Sequence, residues 1–231
     1  GIAVIILLLL PLIIFKTVKS IKLDSREEKI DKSNKIKIKN WKRKEVIKDY
    51  RFYIISLNIL AGPWIITGIF VYQSFISDAK LWSAFAIPKA FMVYSVTSIL
   101  SLILSGILVD RFTSRKLIPI VNIPLFLSML TLFTIRDEVS AYIFLGLIGI
   151  SNGLANILGS STWAEIYGVK YIGSIKALTT ALMVFSTAFG TALFGLLIDR
   201  GFSVENIALI SGSYILFSLV LLLIFKNKIE P

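Results

Sequence analysis

The chain has 231 residues, of which 56% are hydrophobic and only 17% charged, and its mean hydropathy is +0.82. Its charges cluster between long apolar runs, which is typical of a polytopic membrane protein and excludes an ordinary soluble domain. It has no Cys and no His, so disulfides, thiolate or His metal sites and His-based catalysis are excluded. The net charge of +11 lies mainly between the apolar runs, which favours a lipid bilayer over nucleic acid as the partner. We expect no cofactor, no metal and no enzymatic activity.

Residues 1–15 are an apolar run without an initial Met, and the basic residues follow it rather than precede it as in a signal peptide. We expect the end of a transmembrane helix from a missing N-terminal half, which makes the chain a fragment. Residues 16–51 hold fourteen Lys or Arg against six Asp or Glu. So basic a segment is not easily translocated, and it predicts a solvated cytoplasmic linker near the inner leaflet.

Six apolar runs follow, each near the ~20 residues that a bilayer requires. They cover approximately residues 52–77, 81–109, 117–135, 139–164, 175–198 and 206–225. Of the 25 Lys and Arg residues, the predicted outside loops hold only Lys80, Arg136 and Arg200. This asymmetry predicts a six-helix bundle over residues 52–226, followed by a cytoplasmic tail at 227–231.

The second and fifth runs end in the same pattern, Gly106-Ile-Leu-Val-Asp110-Arg111 and Gly195-Leu-Leu-Ile-Asp199-Arg200. The first copy ends in the predicted cytoplasm and the second outside. Each run is the middle member of a set of three, so the two sets are predicted to be related by inverted topology. The predicted fold class is all-α: a polytopic membrane helix bundle of six transmembrane helices as two inverted three-helix repeats, preceded by the end of another helix.

The connection between the second and third runs combines a glycine, an acid and three cations, namely Gly106, Asp110, Arg111, Arg115 and Lys116. It resembles the Gly-x-x-x-Asp-Arg-x-x-x-Arg-Lys loop of the major facilitator superfamily, although an ordinary positive-inside turn is the alternative. The resemblance extends over essentially the whole chain, as the C-terminal six-helix half of such a transporter. It implies secondary active transport of a small organic solute by alternating access in a bacterial inner (plasma) membrane, with a cytoplasmic C-terminus. The alternative function is a non-transporting membrane protein with this fold, such as an assembly factor or sensor.

Residues 163–177 resemble the connection between the fourth and fifth helices in carboxylate-type and uncharacterised bacterial facilitators. Such carboxylate exchangers often have an Arg four residues before the glycine of the loop motif. Here that position is Leu102. This departure argues against a carboxylate substrate.

A carrier needs polar side chains inside its spans, and five residues are candidates for contact with the substrate. Asn152 and Asn156 are four residues apart on one helix face, where they either bind substrate or hydrogen-bond to neighbouring helices. Lys89 either attracts an anion or extends to the outer headgroups. Tyr72 and Gln73 either line an outer vestibule or anchor their helix at the interface.

The loop motif and Glu165 are candidates for a cytoplasmic gate. Glu165 ends the fourth run, close to where Arg111 and Arg115 are expected to project. The resemblance implies that a Glu–Arg pair holds the cytoplasmic side closed, and a headgroup-level ion pair of little net energy is the alternative. We also expect Asp110 to accept hydrogen bonds from free N–H groups at the start of a neighbouring helix.

Overall fold

The computed structural model of the protein describes residues 39–225. The predicted helix end at 1–15, most of the basic linker and the tail at 227–231 lie outside these residues. The described residues form helices and no strand, and six of the helices are long and apolar enough to cross a membrane. The predicted all-α membrane bundle is therefore confirmed. The helices are α1 Arg43–Val46, α2 Tyr50–Val71, α3 Gln73–Ala79, α4 Ala86–Arg111, α5 Ser114–Thr134, α6 Val139–Tyr167, α7 Ile172–Asp199 and α8 Val204–Ile224.

The helix ends agree with the predicted runs to within a few residues, except that the first run is divided. It becomes α2 and α3 because the backbone at Tyr72, with φ −104° and ψ 25°, is not helical.

The Asp49 side chain caps α2 by accepting a 3.0 Å hydrogen bond from the Arg51 backbone N–H. At the other end of the bundle, the Ser203 side chain caps α8. The helix α6 ends at Gly168, whose φ of +79° is suited to a residue without a side chain.

Contacts between helix ends show that the six long helices run alternately up and down. The ring of Tyr50, where α2 begins, lies 6.1 Å from the ring of Phe225, just after α8. The backbone N–H of Ser114, where α5 begins, donates to Glu165 near the end of α6. We call this the basic end, since it carries the Lys and Arg residues of 39–51, 111–116 and 170–176.

The opposite end is held together by a network around Lys80, whose side chain is only 1% exposed. Its Nζ lies 3.0 Å from Glu205 Oε1 at the start of α8 and 3.5 Å from the Ile135 carbonyl oxygen. The Trp82 indole N–H donates to the Arg136 carbonyl at 3.2 Å. The network therefore joins the turn after α3 to the α5–α6 loop and to α8.

Replacing Glu205 by Gln leaves the buried Lys80 ammonium without an anionic partner. We expect E205Q to lower the free energy of unfolding by about 3 kcal/mol, as measured by denaturant unfolding in detergent micelles. The matched control is D199N, because Asp199 is exposed at the same end and has no ion pair with another described residue. An equal loss in both variants would contradict a specific role for the Lys80–Glu205 pair.

The helix packing has the pairing expected of inverted repeats. The most extensive contact is between α4 and α6, and other extensive contacts join α5 to α6, α2 to α7 and α5 to α8. If α2, α4 and α5 correspond in that order to α6, α7 and α8, the α4–α6 contact corresponds to the α2–α7 contact, and the α5–α8 contact corresponds to itself. The α5–α6 contact corresponds to the contact between α2 and α8, which is smaller. Exchange of the α4–α6 and α2–α7 contacts is expected when the two sets are related by a pseudo-two-fold axis.

Hydrogen bonds between helices follow the same relation. In the register that pairs Gly106 with Gly195, Thr97 of α4 corresponds to Ser186 of α7. The Thr97 hydroxyl donates to the Gly146 carbonyl of α6 at 3.0 Å. The Ser186 hydroxyl donates to the Leu60 carbonyl of α2, also at 3.0 Å. The repeat therefore extends from the sequence pattern to the contacts that join the helices.

Buried positions on the two middle helices also coincide in this register. The buried residues of α7 correspond to three of the four buried residues of α4. The corresponding pairs are Ala86 with Ile175, Ser101 with Gly190, and Ser105 with Phe194. The helices α4 and α7 therefore bury corresponding narrow faces against the rest of the bundle.

Glycines allow the backbones of paired helices to touch at both of these crossings. A Cβ atom on Gly149 of α6 would lie 2.5 Å from the Tyr94 carbonyl oxygen of α4. A Cβ atom on Gly190 of α7 would strike the Trp64 carbonyl oxygen of α2 and lie 2.6 Å from its carbonyl carbon. Both obstacles are backbone atoms, which no side-chain rotation removes.

A methyl group at Gly190 must therefore push α7 away from α2. We expect G190A to lower the free energy of unfolding by about 1–3 kcal/mol in denaturant unfolding of the micelle-solubilised protein. G173A is the control on the same helix, because nothing lies within 4 Å of a Cβ at Gly173. Its stability should be unchanged or slightly raised, since alanine favours helix over glycine. A neutral G190A would show that the two helices are not in backbone contact.

The turn of α2 before Pro63 accepts hydrogen bonds from three other helices. The Asn122 amide of α5 donates to the Asn58 carbonyl at 2.6 Å, and the Tyr214 hydroxyl of α8 donates to the Leu57 carbonyl at 2.9 Å. Ser186 of α7 supplies the third bond, described above. Proline cannot donate to the preceding turn, and neighbouring side chains commonly bond the carbonyls around it in membrane helices. This turn of α2 is therefore a meeting point of the bundle.

Candidate functional site: a polar cleft at the basic end

A cleft of about 240 Å³ lies between α2, α6 and α7 toward the basic end. This volume suits a small organic molecule rather than a drug-sized one. Its polar lining consists of Ser56, Asn156, Ser160, Lys176, Thr179 and Thr180. Its apolar lining consists of Ile59, Leu60, Ala155, Gly159, Trp163, Leu182 and Met183. The cleft therefore combines hydrogen-bonding groups and one cation with an apolar wall.

Helical spacing places these polar side chains on common faces. Lys176, Thr179 and Thr180 are three and four residues apart, so they project from the same side of α7. Asn156 and Ser160 are four residues apart on α6. Two helices of the second repeat thus present polar faces to one space, and α2 of the first repeat closes it with Ser56.

One cation lies on the lining of the cleft. Among residues 39–225, Lys176 is the only charged residue that lines it, and its exposed side chain forms no ion pair with the others. Ser56 is 6% exposed, and its hydroxyl has no hydrogen-bond partner among the described residues. Because buried hydroxyls almost always have a partner, this one is notable on the cleft wall.

Of the two predicted amides, only Asn156 lines the cleft. The Asn156 side-chain amide donates to the Asn152 backbone carbonyl at 2.9 Å. The Asn152 amide instead donates to the Tyr94 hydroxyl of α4 at 2.8 Å. Asn152 therefore makes the interhelical bond that was the alternative to substrate contact, and it lies one turn from the cleft-lining amide.

The other three candidates lie away from the cleft, toward the opposite end. The Tyr72 hydroxyl packs against α7 at Gly195, where a Cβ would lie 2.5 Å from it. Gln73 is half-buried at the start of α3. Lys89 is exposed in the first turn of α4 and forms no ion pair within residues 39–225. The structure does not bring these residues together with Asn156.

Glu165 binds the start of α5. Its carboxylate accepts hydrogen bonds from the backbone N–H groups of Ser114 at 2.8 Å and Arg115 at 3.3 Å. The Arg115 guanidinium donates to the Glu165 backbone carbonyl, and its Nε lies 3.7 Å from the carboxylate. The Ser114 hydroxyl also donates to Ser161 at 2.6 Å. Within this chain, Glu165 therefore joins the loop motif to the end of α6.

The rest of the loop motif is open to the surroundings. Asp110, Arg111 and Lys116 are exposed and form no ion pair with another residue of the described range. Gly106 is half-buried, with only Ile157 near the position of a Cβ. The free amides at the start of α5 were expected to bind an acid such as Asp110, and they bind Glu165 instead. A carboxylate on the neighbouring helix end reaches these amides, whereas Asp110 projects outward.

The end of the basic linker packs against the α6–α7 connection rather than being fully solvated. The Trp41 backbone N–H donates to the Tyr167 carbonyl at 3.0 Å, and the rings of these two residues lie 5.6 Å apart. The Asn40 side chain accepts a 3.1 Å hydrogen bond from the Lys170 backbone N–H. Nearby, a hydrogen bond from the Lys42 backbone N–H lowers the pKa of the Glu45 carboxyl, and the Lys39 ammonium adds to this effect. These contacts fix the linker's last residues beside the helices that frame the cleft.

Sequence reasoning missed Lys176, Ser56 and the two threonines. In the sequence, Lys176 contributes only to the charge distribution that predicts topology. Hydroxyl residues near helix ends are too common to indicate a site. The available signal was the run of polar residues at three- and four-residue spacing on α7, which marks one polar face. No sequence signal indicated that this face meets Asn156.

No family model, curated protein or solved structure matches this chain significantly. Residues 39–225 are all-helical and include six helices that are long and apolar enough to span a membrane, which is the class of a polytopic integral membrane protein. The resemblance to major facilitators rests on the loop motif and the repeat. Among residues 39–225, no group of His, Cys, Asp or Glu could hold a metal ion.

Removing the Glu165 carboxylate leaves two backbone amides at the start of α5 without their acceptor and the Arg115 guanidinium without its ion-pair partner. We expect E165A to lower the free energy of unfolding by about 1–3 kcal/mol. D110N is the matched control, because Asp110 is an exposed acid in the same connection. Denaturant unfolding of both variants in micelles measures the difference. A neutral E165A would reduce the contact to a headgroup-level ion pair.

Proposed function

We propose that the protein is the C-terminal half of a secondary active transporter of the major facilitator type. In this proposal it moves a small organic solute across a bacterial inner membrane by alternating access. The observation that carries the proposal is the cleft framed by helices of both inverted repeats, in which six polar side chains line an otherwise apolar surface. Intramembrane polar groups are expensive, and transporters of this architecture place substrate sites between such repeats.

The charge distribution supports a cytoplasmic location for the basic end. Segments rich in Lys and Arg are retained on the cytoplasmic side, and the basic end carries most of the cations outside the spans. On this orientation, the cleft is accessible from the cytoplasm, as in an inward-facing state. The Lys80 network then lies on the outer side.

The exposure of the two middle helices supports a further bundle beside this one. Only 11% of the apolar windows of α4 and α7 is buried, against 39–56% in the other four spans. In the proposal, an N-terminal six-helix half covers part of these faces. The contact between Glu165 and Arg115 then belongs to a gate whose loop, including Asp110 and Arg111, meets that half.

The proposal requires the cleft to hold water and to close during transport. These 231 residues contain no Cys. A single cysteine placed in them within the full-length transporter, after replacement of any cysteine in its N-terminal half, can therefore be labelled in membrane vesicles with an impermeant thiol reagent. We expect N156C to react at least tenfold faster from the cytoplasmic face than I123C, and a transported solute to slow that reaction. Ile123 of α5 is 46% exposed but does not line the cleft. Counted along their helices, Asn156 and Ile123 lie about 17 and 14 Å from the basic end.

Equal and slow labelling of both cysteines would mean that the cleft is closed to water, and the proposal would be wrong.

The solute can be found by screening compounds for thermal stabilisation of the purified full-length transporter. It would then be tested for uptake into proteoliposomes. A stably co-purifying protein partner, together with no response to any solute, would favour the non-transporting alternative.

A further inference from the structure

We propose that the segment 42–53, where the linker enters the bundle, is a docking surface for anionic phospholipid in the leaflet at the basic end. This surface lies outside the cleft, so the inference goes beyond the proposed transport function and does not depend on it.

Four cations of this segment have no carboxylate partner. The segment contains two acids, and each of them already has a basic partner. Glu45 Oε1 lies 3.6 Å from the Lys39 ammonium, and Asp49 Oδ2 lies 2.8 Å from the Arg51 guanidinium. The remaining cations are exposed and form no ion pair with any residue of 39–225, namely Lys42, Arg43, Lys44 and Lys48. This stretch therefore presents a dense positive charge that suits an anionic partner.

Exposed apolar side chains accompany these cations. Tyr50, Tyr53 and Leu57 are three and four residues apart on α2 and 37–51% exposed, so they share one face of the helix. The Tyr53 hydroxyl donates to the Ile47 carbonyl at 2.8 Å. This bond places the end of α1, where the exposed Ile47 adjoins Lys48, next to the first turn of α2. Cations and apolar side chains thus form one continuous surface.

This combination fits a phospholipid better than a soluble partner. Tyr50 and Tyr53 lie in the first turn of a membrane span, and tyrosine rings at such positions occupy the headgroup region. Lys and Arg residues beside that region attract anionic headgroups. The acyl chains of the same lipid can cover Leu57, one turn further along α2. A nucleic acid or an acidic protein would pair with the cations but could not follow the apolar face into the bilayer.

The bundle holds this surface in a fixed orientation. Val46 of α1 is completely buried, in an apolar cluster with Phe52, Trp163 and Tyr167. The hydrogen bond from Trp41 to Tyr167 fixes the chain just before α1. Because the backbone is already ordered, lipid binding loses less conformational entropy than it would on a free tether.

The test is native mass spectrometry of the purified full-length protein, titrated in micelles with dioleoyl-phosphatidylglycerol and, in parallel, with dioleoyl-phosphatidylcholine. We expect the anionic lipid to bind more tightly, and its affinity to fall at least fivefold in K44Q/K48Q and to be retained in K44R/K48R. K116Q/K170Q is the matched control, because both lysines are exposed at the basic end and form no ion pair within residues 39–225. Its affinity should change less than twofold.

A second variant tests the apolar part of the surface. I47Q should weaken binding of phosphatidylglycerol severalfold and leave the melting temperature in lipid-free micelles unchanged, because the Ile47 side chain is exposed. V169Q is its control, because Val169 is 72% exposed at the basic end but lies outside the segment. An unchanged affinity in I47Q would contradict a lipid surface and leave only a basic patch.

Three further results would overturn the inference. Equal weakening in K44Q/K48Q and K116Q/K170Q would show a diffuse attraction by the charge of the whole basic end. Displacement of the lipid by an equal concentration of soluble glycerol phosphate would identify a free phosphate ester as the ligand. If phosphatidylglycerol does not bind, another part of the full-length protein or a soluble acidic partner covers the surface. The labelling of N156C is expected to be the same in each case, so the transport proposal is tested separately.

Discussion

Backbone-to-backbone approach at two helix crossings is the constraint on which the rest of this bundle depends. Lipid tails are as apolar as leucine, so membrane helices gain little by hiding apolar side chains from them and rely on close packing. Gly149 and Gly153 of α6 lie against the backbone of α4, and Gly190 of α7 lies against Trp64 of α2. The α4–α6 crossing corresponds to the α2–α7 crossing under the inverted repeat. Glycine therefore permits close approach of the two helix backbones at both crossings.

The helix α6 connects packing to the candidate site, because its different faces meet different parts of the protein. Gly153 contacts α4, Asn156 lines the cleft, and Glu165 binds the start of α5. Its last residue, Tyr167, is in turn bonded to Trp41 of the linker. A rigid helix that is held at these points cannot tilt without changing the cleft and the loop motif together. In a transporter, this coupling would join opening of the cleft to release of the gate.

The spans and their inverted pairing could be predicted because bilayer thickness limits helix length and because a six-residue pattern that begins at Gly106 recurs at Gly195. The break at Tyr72 could not, since neither glycine nor proline marks it and the apolar run continues. The site was only partly accessible to sequence reasoning. Asn156 is conspicuous as an amide within a span, whereas Ser56 resembles any hydroxyl near a helix end. Their common cleft depends on how α2 and α6 are placed against α7, which no local pattern specifies.

Lys80 and Lys176 show why counting cations gives topology but not function. Each adds one positive charge to the count of cations on the two sides of the membrane. In the structure, however, Lys80 is buried against Glu205, whereas Lys176 lines a cleft and has no ion-pair partner among residues 39–225. A buried pair satisfies its own electrostatics and is complete without a ligand. The ammonium of Lys176 is exposed, so water satisfies it without any partner from the protein. The Ser56 hydroxyl on the α2 side of the same cleft differs from it, because it is buried and has no partner among the described residues. Burial, rather than the presence of a charge, therefore distinguishes a group whose environment is incomplete from one that solvent completes.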